Sequence, residues 1–192
     1  MYQLPTSIEL ETGTFNIRCK GNYLMVLDCF DALNDMSLDK EERIIASLMI
    51  FYEGIDAVTD ITLLGDIEKA YKAMVKFFNC NQETIGMKAN HKLIDWKRDE
   101  QLIVSAINNV SGKEIRNEEY IHWWTFMGYY LAIGECPLST IVSIRNKIVK
   151  GKKLEKYERE FKNENPQYFK VDYRQNTEKE LENWFMNEVW NK

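Results

Sequence analysis

Histidine is nearly missing from this chain: His91 and His122 are the two in 192 residues. An enzyme needs convergent polar groups, and the sequence offers few. There is no H-E-x-x-H, no G-x-S-x-G, no glycine-rich phosphate loop and no His/Cys ligand cluster. Hence no catalytic residue, metal site or cofactor is expected. The four cysteines, Cys19, Cys29, Cys80 and Cys136, never form a C-x-x-C pair, which excludes a zinc knuckle or a thioredoxin-type motif. The opening "MYQLPTSIELETG" lacks a basic start followed by an apolar run. No apolar segment approaches the roughly 20 residues that span a bilayer. The expectation is a cytoplasmic protein with reduced thiols and no membrane partner. An excess of basic charge is also lacking. Net charge is −5, which argues against generic nucleic-acid binding.

What is present is helical periodicity. One exception opens the chain: "SIELETGTFNIRC" alternates Ile8, Leu10, then Phe15, Ile17, Cys19 around Thr12-Gly13, which predicts a β-hairpin within residues 1–22. So short a hairpin must lie on helices. "YLMVLDCFDAL" and "SLDKEERIIASLMIFYEG" then read as helices, the second with Ser37 as N-cap. "GDIEKAYKAMVKFFNCN" and "WKRDEQLIVSAINNVSG" predict two more, separated by a loop over 81–95. Residues 118–133 form an aromatic helix with Asn117 as N-cap and Glu118 and Glu119 in its first turn. Pro137 opens a helix ended by Gly151, and "KLEKYEREFKNEN" a charged one ended by Asn165-Pro166. Thr177-x-x-Glu180 is a capping box for a last helix over 177–190. The class expected is mainly α, a single multi-helix domain over 1–192 with a short N-terminal β-hairpin.

Two stretches hold possible binding residues. "HWWTFMGYYLAIGE" packs His122, Trp123, Trp124, Phe126, Tyr129 and Tyr130 into nine positions. Residues 118–135 hold three glutamates and neither Lys nor Arg, so base stacking in a basic groove is disfavoured. An apolar aromatic helix is usually a buried central helix, with Trp124 and Tyr129 the rings to reach a partner. Residues 145–162 carry eight basic and three acidic side chains. This run is either a solvated face or a docking surface for an acidic protein, built on Arg145, Lys147, Lys152, Lys153 and Lys156. The narrow seam Leu154, Tyr157, Phe161 packs either on another chain or at a domain edge against Trp184 and Phe185.

The series "IHWWTFMGYYLAIGECPLSTIVSIRNKIVKGKKLEKYEREFKNENPQYF" carries a further reading. Its paired Trp, W-T-F-x-G-Y step, Gly-Glu break, I-R-x-K and K-G-K-K-L run ending in N-P resemble the small "gp fifteen" family of siphophages and prophages of Gram-positive hosts. Trp123, Trp124, Phe126, Tyr129 and Tyr130 match that family's aromatic helix, and Arg145 with Lys147 its basic step. The resemblance implies a mostly helical, non-enzymatic tail-assembly chaperone, absent from the mature virion. Its implied partners are the phage tape-measure protein and the major tail (tube) protein, in the host bacterial cytoplasm; because covering a long rod takes many copies, self-association is expected as well. A phage-encoded nucleic-acid-binding regulator and an enzyme of unrecognised family are the alternatives.

Overall fold

The two N-terminal alternating runs pair as expected. In the computed structural model, which describes residues 3–82 and 93–169, β1 (Ser7–Leu10) lies antiparallel to β2 (Gly13–Asn16) with Ile8 opposite Phe15. The hairpin rests on helices: Phe15 meets Tyr52 edge-on at 6.0 Å, and Lys69 reaches Glu11 at 2.7 Å. Seven α-helices follow among the described residues, α1 (Tyr23–Leu33), α2 (Lys40–Phe51), α3 (Ile67–Phe78), α4 (Glu100–Ser111), α5 (Trp123–Leu131), α6 (Pro137–Val149) and α7 (Lys156–Glu164). The fold is therefore mainly α with a short N-terminal hairpin.

Local chemistry sets most helix limits. Asn22 caps α1 by accepting from Leu24 N–H at 3.1 Å. The start of α2 differs from the expectation of Ser37. Asp39 is the N-cap in a reciprocal box with Glu42, while the Ser37 hydroxyl is taken by Asp35. Gly112 ends α4 in the left-handed conformation that glycine adopts without penalty. The expected loop is described only outside 83–92. Residues 177–190, with Trp184 and Phe185, lie outside the described residues too, as does His91.

Two units emerge from the contacts. The first holds the hairpin, α1 to α3 and residues 119–127. Its core is strongly aromatic: Phe51, Tyr52, Phe77, Trp123 and Phe126 are each at most 2% exposed. Tyr23 stacks on Phe126 at 4.7 Å, and Phe30 meets Trp123 edge-on at 5.7 Å. The buried polar tips are satisfied, since Tyr52 Oη donates to Ala70 O and Trp123 Nε1 to Phe78 O. The second unit comprises α4, the chain from Gly128, α6 and α7. Ile103, Ile107, Ile115, Leu138, Ile141 and Ile144 form its apolar centre.

The aromatic helix departs from expectation. It begins at Trp123, not at 118, because residues 119–122 are hydrogen-bonded to the Asn22 turn instead. There Asn22 Nδ2 donates to Glu119 O, Tyr23 N–H donates to Ile121 O, and Asn22 bridges His122. Backbone groups already bonded to a distant segment cannot also start a helix. Glu118 instead pairs with Lys113 at 2.9 Å. Nor is α5 buried all round: Trp123 and Phe126 are buried, whereas Leu131 is 70% exposed.

Candidate functional site

Helix α6 presents three isoleucines, Ile141, Ile144 and Ile148, along one side. Arg145 falls on that same side, one turn after Ile141, and is fully buried. Its guanidinium grips Asp99 through two bonds of 2.5 and 2.9 Å. The remaining donors go to backbone carbonyls, Leu93 O at 2.9 Å and Tyr168 O at 2.6 and 2.9 Å. Asp99 also accepts from Asp95 N–H at 3.0 Å. Every partner is supplied, which a buried ion pair requires. Arg145 is thus a structural hub of the second unit, and its expected part in a docking surface is corrected: a side chain with no exposure cannot meet a partner.

Lys147 is likewise turned inward. Its ammonium lies 2.7 Å from Glu158, which is only 2% exposed although it sits on the charged helix α7. Glu158 also accepts from Glu155 N–H at 2.8 Å, capping α7. The Lys147 bond, then the Glu155 bond, hold the Glu158 carboxyl below its usual range, and the same pairing raises Lys147. This internal pair fixes which side of α7 faces in. Glu158 and Phe161 turn inward, Phe161 meeting Phe169 edge-on at 6.4 Å, and Tyr157 is left 62% exposed. The seam of Leu154, Tyr157 and Phe161 is corrected accordingly: Leu154 and Phe161 are half-buried, and Tyr157 points to solvent.

What remains outside is a mainly basic stretch, interrupted by the exposed Glu155 and Glu160. Lys150, Lys152, Lys153, Lys156 and Arg159 are exposed, with Tyr157 among them. Lys156 comes within only 3.9 Å of Glu160, both well exposed, so that pair contributes little. The structure thus brings together Lys152, Lys153, Lys156 and Tyr157 of the expected site.

Trp124 belongs to the first unit. It is half-buried, its Nε1 donates to Phe77 O at 2.9 Å, and its ring is tilted against Phe77. Beside it, His122 is buried, its Nε2 within 3.0 Å of Pro5 O and its Nδ1 accepting from Trp124 N–H at 3.0 Å. Both ring nitrogens are therefore used in packing. In the second unit Tyr129 is half-buried, and Tyr130 leans on Trp96 at 5.3 Å. Burial, then the charge of Asp99, push the Tyr130 phenol above its ordinary value.

A groove of about 620 Å³ opens between α4 and the start of α6, lined by Ser105, Asn108, Asn109, Glu135, Cys136 and neighbouring apolar groups. Asn108 is committed to Glu114 and Ile115 N–H. Among the described residues no group of three His, Cys, Asp or Glu side chains is placed to hold a metal ion. No described helix is long and apolar enough to cross a membrane.

Sequence reasoning passed over Asp99 and Glu158. A signal existed for the first pair, since Arg145 shares the spacing of Ile141 and Ile148, which marks a cation on an apolar face in need of an acid. Glu158 had no such mark, because both 157 and 158 are compatible with the seam.

No curated protein matches the chain, and no solved structure does. A family match does exist, to the family described as Bacteriophage Gp15 protein, over residues 1–170. It spans all the described residues of both units, the aromatic helix and the basic segment included. On that match the chain belongs to the bacteriophage Gp15 protein family.

Proposed function

We propose that this member of a phage structural or assembly family is a non-enzymatic tail-assembly chaperone. It binds the tape-measure protein, helps recruit major tail (tube) subunits in the host cytoplasm, and leaves before the virion is complete. The family match over 1–170 carries the reading, and the exposed segment 150–159 supports it with a surface suited to the work. Lysines on flexible stems around one large ring can follow an extended partner whose acidic and apolar residues vary along its length.

The test is co-expression with the tape-measure protein of the same phage. Soluble tape-measure protein should accumulate with the chaperone and pellet without it. Equal solubility in both cases would sink the proposal, and so would finding the chain as a stoichiometric component of purified virions.

A further inference from the structure

Helix α6 carries a different surface at each of its ends, both within the second unit: the groove against α4 at its start and the basic stretch at its close. Over the described residues, the first unit carries fourteen acidic and seven basic side chains, the second ten acidic and twelve basic. The surplus of the second unit is concentrated in the basic stretch. Arg145 and Lys147 are consumed internally, while Lys150, Lys152, Lys153 and Arg159 are exposed and make no ion pair among the described residues.

The groove suits a ring with a cation beside it. Leu102, Ser105, Ala106 and Asn109 follow one another at helical spacing, so they share one side of α4, and Glu135 and Leu138 close the groove from the α6 side. Leu102, Ala106 and Leu138 are half-buried or buried and give an apolar wall. Ser105, Asn109 and Glu135 are exposed, and their side chains make no hydrogen bond or ion pair among the described residues. Glu135 is the one charged group in the lining among those residues, so the groove favours a positive occupant. Its volume of about 620 Å³ admits a phenol ring with a lysine stem alongside.

The other end of α6 displays that chemistry. Tyr157 is 62% exposed, and its hydroxyl reaches Glu158 only at 3.5 Å, the far limit of a hydrogen bond. Lys153 and Lys156 flank the ring, the first unpaired among the described residues and the second only 3.9 Å from Glu160. We propose that the second unit of one copy docks on that of the next, Tyr157 entering the α4–α6 groove with its hydroxyl toward Ser105 and Asn109, and Lys153 and Lys156 toward Glu135. The occupant is a second copy because the ring cannot fill the groove of its own chain. The Lys147–Glu158 pair holds Tyr157 at the last turns of α6, and Lys147 lies about 15 Å along the helix from Pro137, beyond the reach of a tyrosine. Such a contact is heterologous: each added copy brings one ring and one groove, so growth continues until a ring of copies closes or a filament forms. Arg159, two positions past Tyr157 on α7, points elsewhere and stays available to the tape-measure protein. This deepens the chaperone reading, in which many copies must line one rod, and rests on it only for that purpose.

The experiment is sedimentation velocity of the full chain at rising concentration. Wild type should grow beyond a monomer. Tyr157→Ser should weaken association by roughly thirtyfold, as loss of a central aromatic anchor does. Ser105→Trp, which fills the groove from an exposed position, should do the same. An equimolar mixture of these two variants retains one ring and one groove, so it should yield a 1:1 dimer and nothing larger. Glu135→Lys should weaken association by about fivefold, and joining it to Lys153→Glu/Lys156→Glu in one chain should recover the loss by restoring opposite charges. If Ser105→Trp loses its helical circular dichroism, Asn109→Trp replaces it in the mixture.

A wild type that stays monomeric throughout overturns the proposal. So do folded variants that associate as wild type does, or a mixture that fails to pair. Tape-measure solubility is scored separately on the same variants. Groove variants that lose it while sedimenting as wild type would make the tape-measure protein the occupant and overturn the self-contact. A wild type that associates without solubilising the tape-measure protein would sink the chaperone reading and leave the self-contact standing.

Discussion

His122 shows how one buried polar side chain can be fully explained by packing. Its neutral ring joins the N-terminal segment at Pro5 to the start of α5 at Trp124, with the proton on Nε2, since Nδ1 accepts. The approach is close: a Cβ at Gly21 would lie 2.9 Å from the Phe77 ring and 3.0 Å from His122 Nε2, and Gly21 has φ +75°. Only glycine serves there. Burial disfavours the imidazolium, and the bond to Pro5 O opposes it only in part, so His122 titrates below its ordinary value. The unfolded chain therefore binds the proton first as pH falls. The stabilisation is fully present above the ordinary histidine value of about 6.5 and is lost as pH drops through it toward the folded value. Urea midpoints measured at pH 7.5 and pH 5 should fall more for wild type than for His122→Gln. An identical pH slope in both would show that this ring does not titrate on unfolding.

At the scale of helices, the buried Arg145–Asp99 pair joins α6 to the start of α4 and to the carbonyls of Leu93 and Tyr168. Arg145→Met should destabilise the fold by about 3–5 kcal/mol, because Asp99 would be left charged and buried without a partner. Adding Asp99→Asn removes that charge and should recover part of the loss in a guanidinium titration. A single Arg145→Met variant as stable as wild type would mean that Asp99 finds water or another donor. Such pairs also mark what sequence can and cannot disclose. The ends of α1, α3, α4 and α6 were legible, because Gly112, Pro137 and the hydrophobic period act within one or two turns. The start of α5 was not legible, because it is decided by hydrogen bonds from Asn22 and Tyr23, about a hundred residues away. The inward side of α7 was not either. Positions 157 and 158 fit the seam equally, and only the presence of Lys147 across the gap selects the glutamate over the tyrosine.

For the whole molecule, charge arrangement matters more than its total of −5. The run at 145–162 carries eight basic and three acidic side chains, yet two of its eight cations face inward. The exposed ones are interrupted by Glu155 and Glu160, both exposed as well. A nucleic-acid backbone laid along this segment would meet anions among the cations, and the acidic first unit adds long-range repulsion at low salt. A protein partner with acidic and apolar groups at irregular spacing suits the same segment better, since Tyr157 has no role in neutralising phosphate. Mobility-shift titrations with duplex and single-stranded DNA should therefore show no complex at micromolar protein in about 50 mM salt. Binding that appears there and collapses between about 50 and 200 mM would carry the signature of counterion release. That result would move the basic segment from protein docking to nucleic-acid recognition. Lys152→Glu/Lys153→Glu/Lys156→Glu would then abolish the shift, locating the phosphate contacts on the α6–α7 connection.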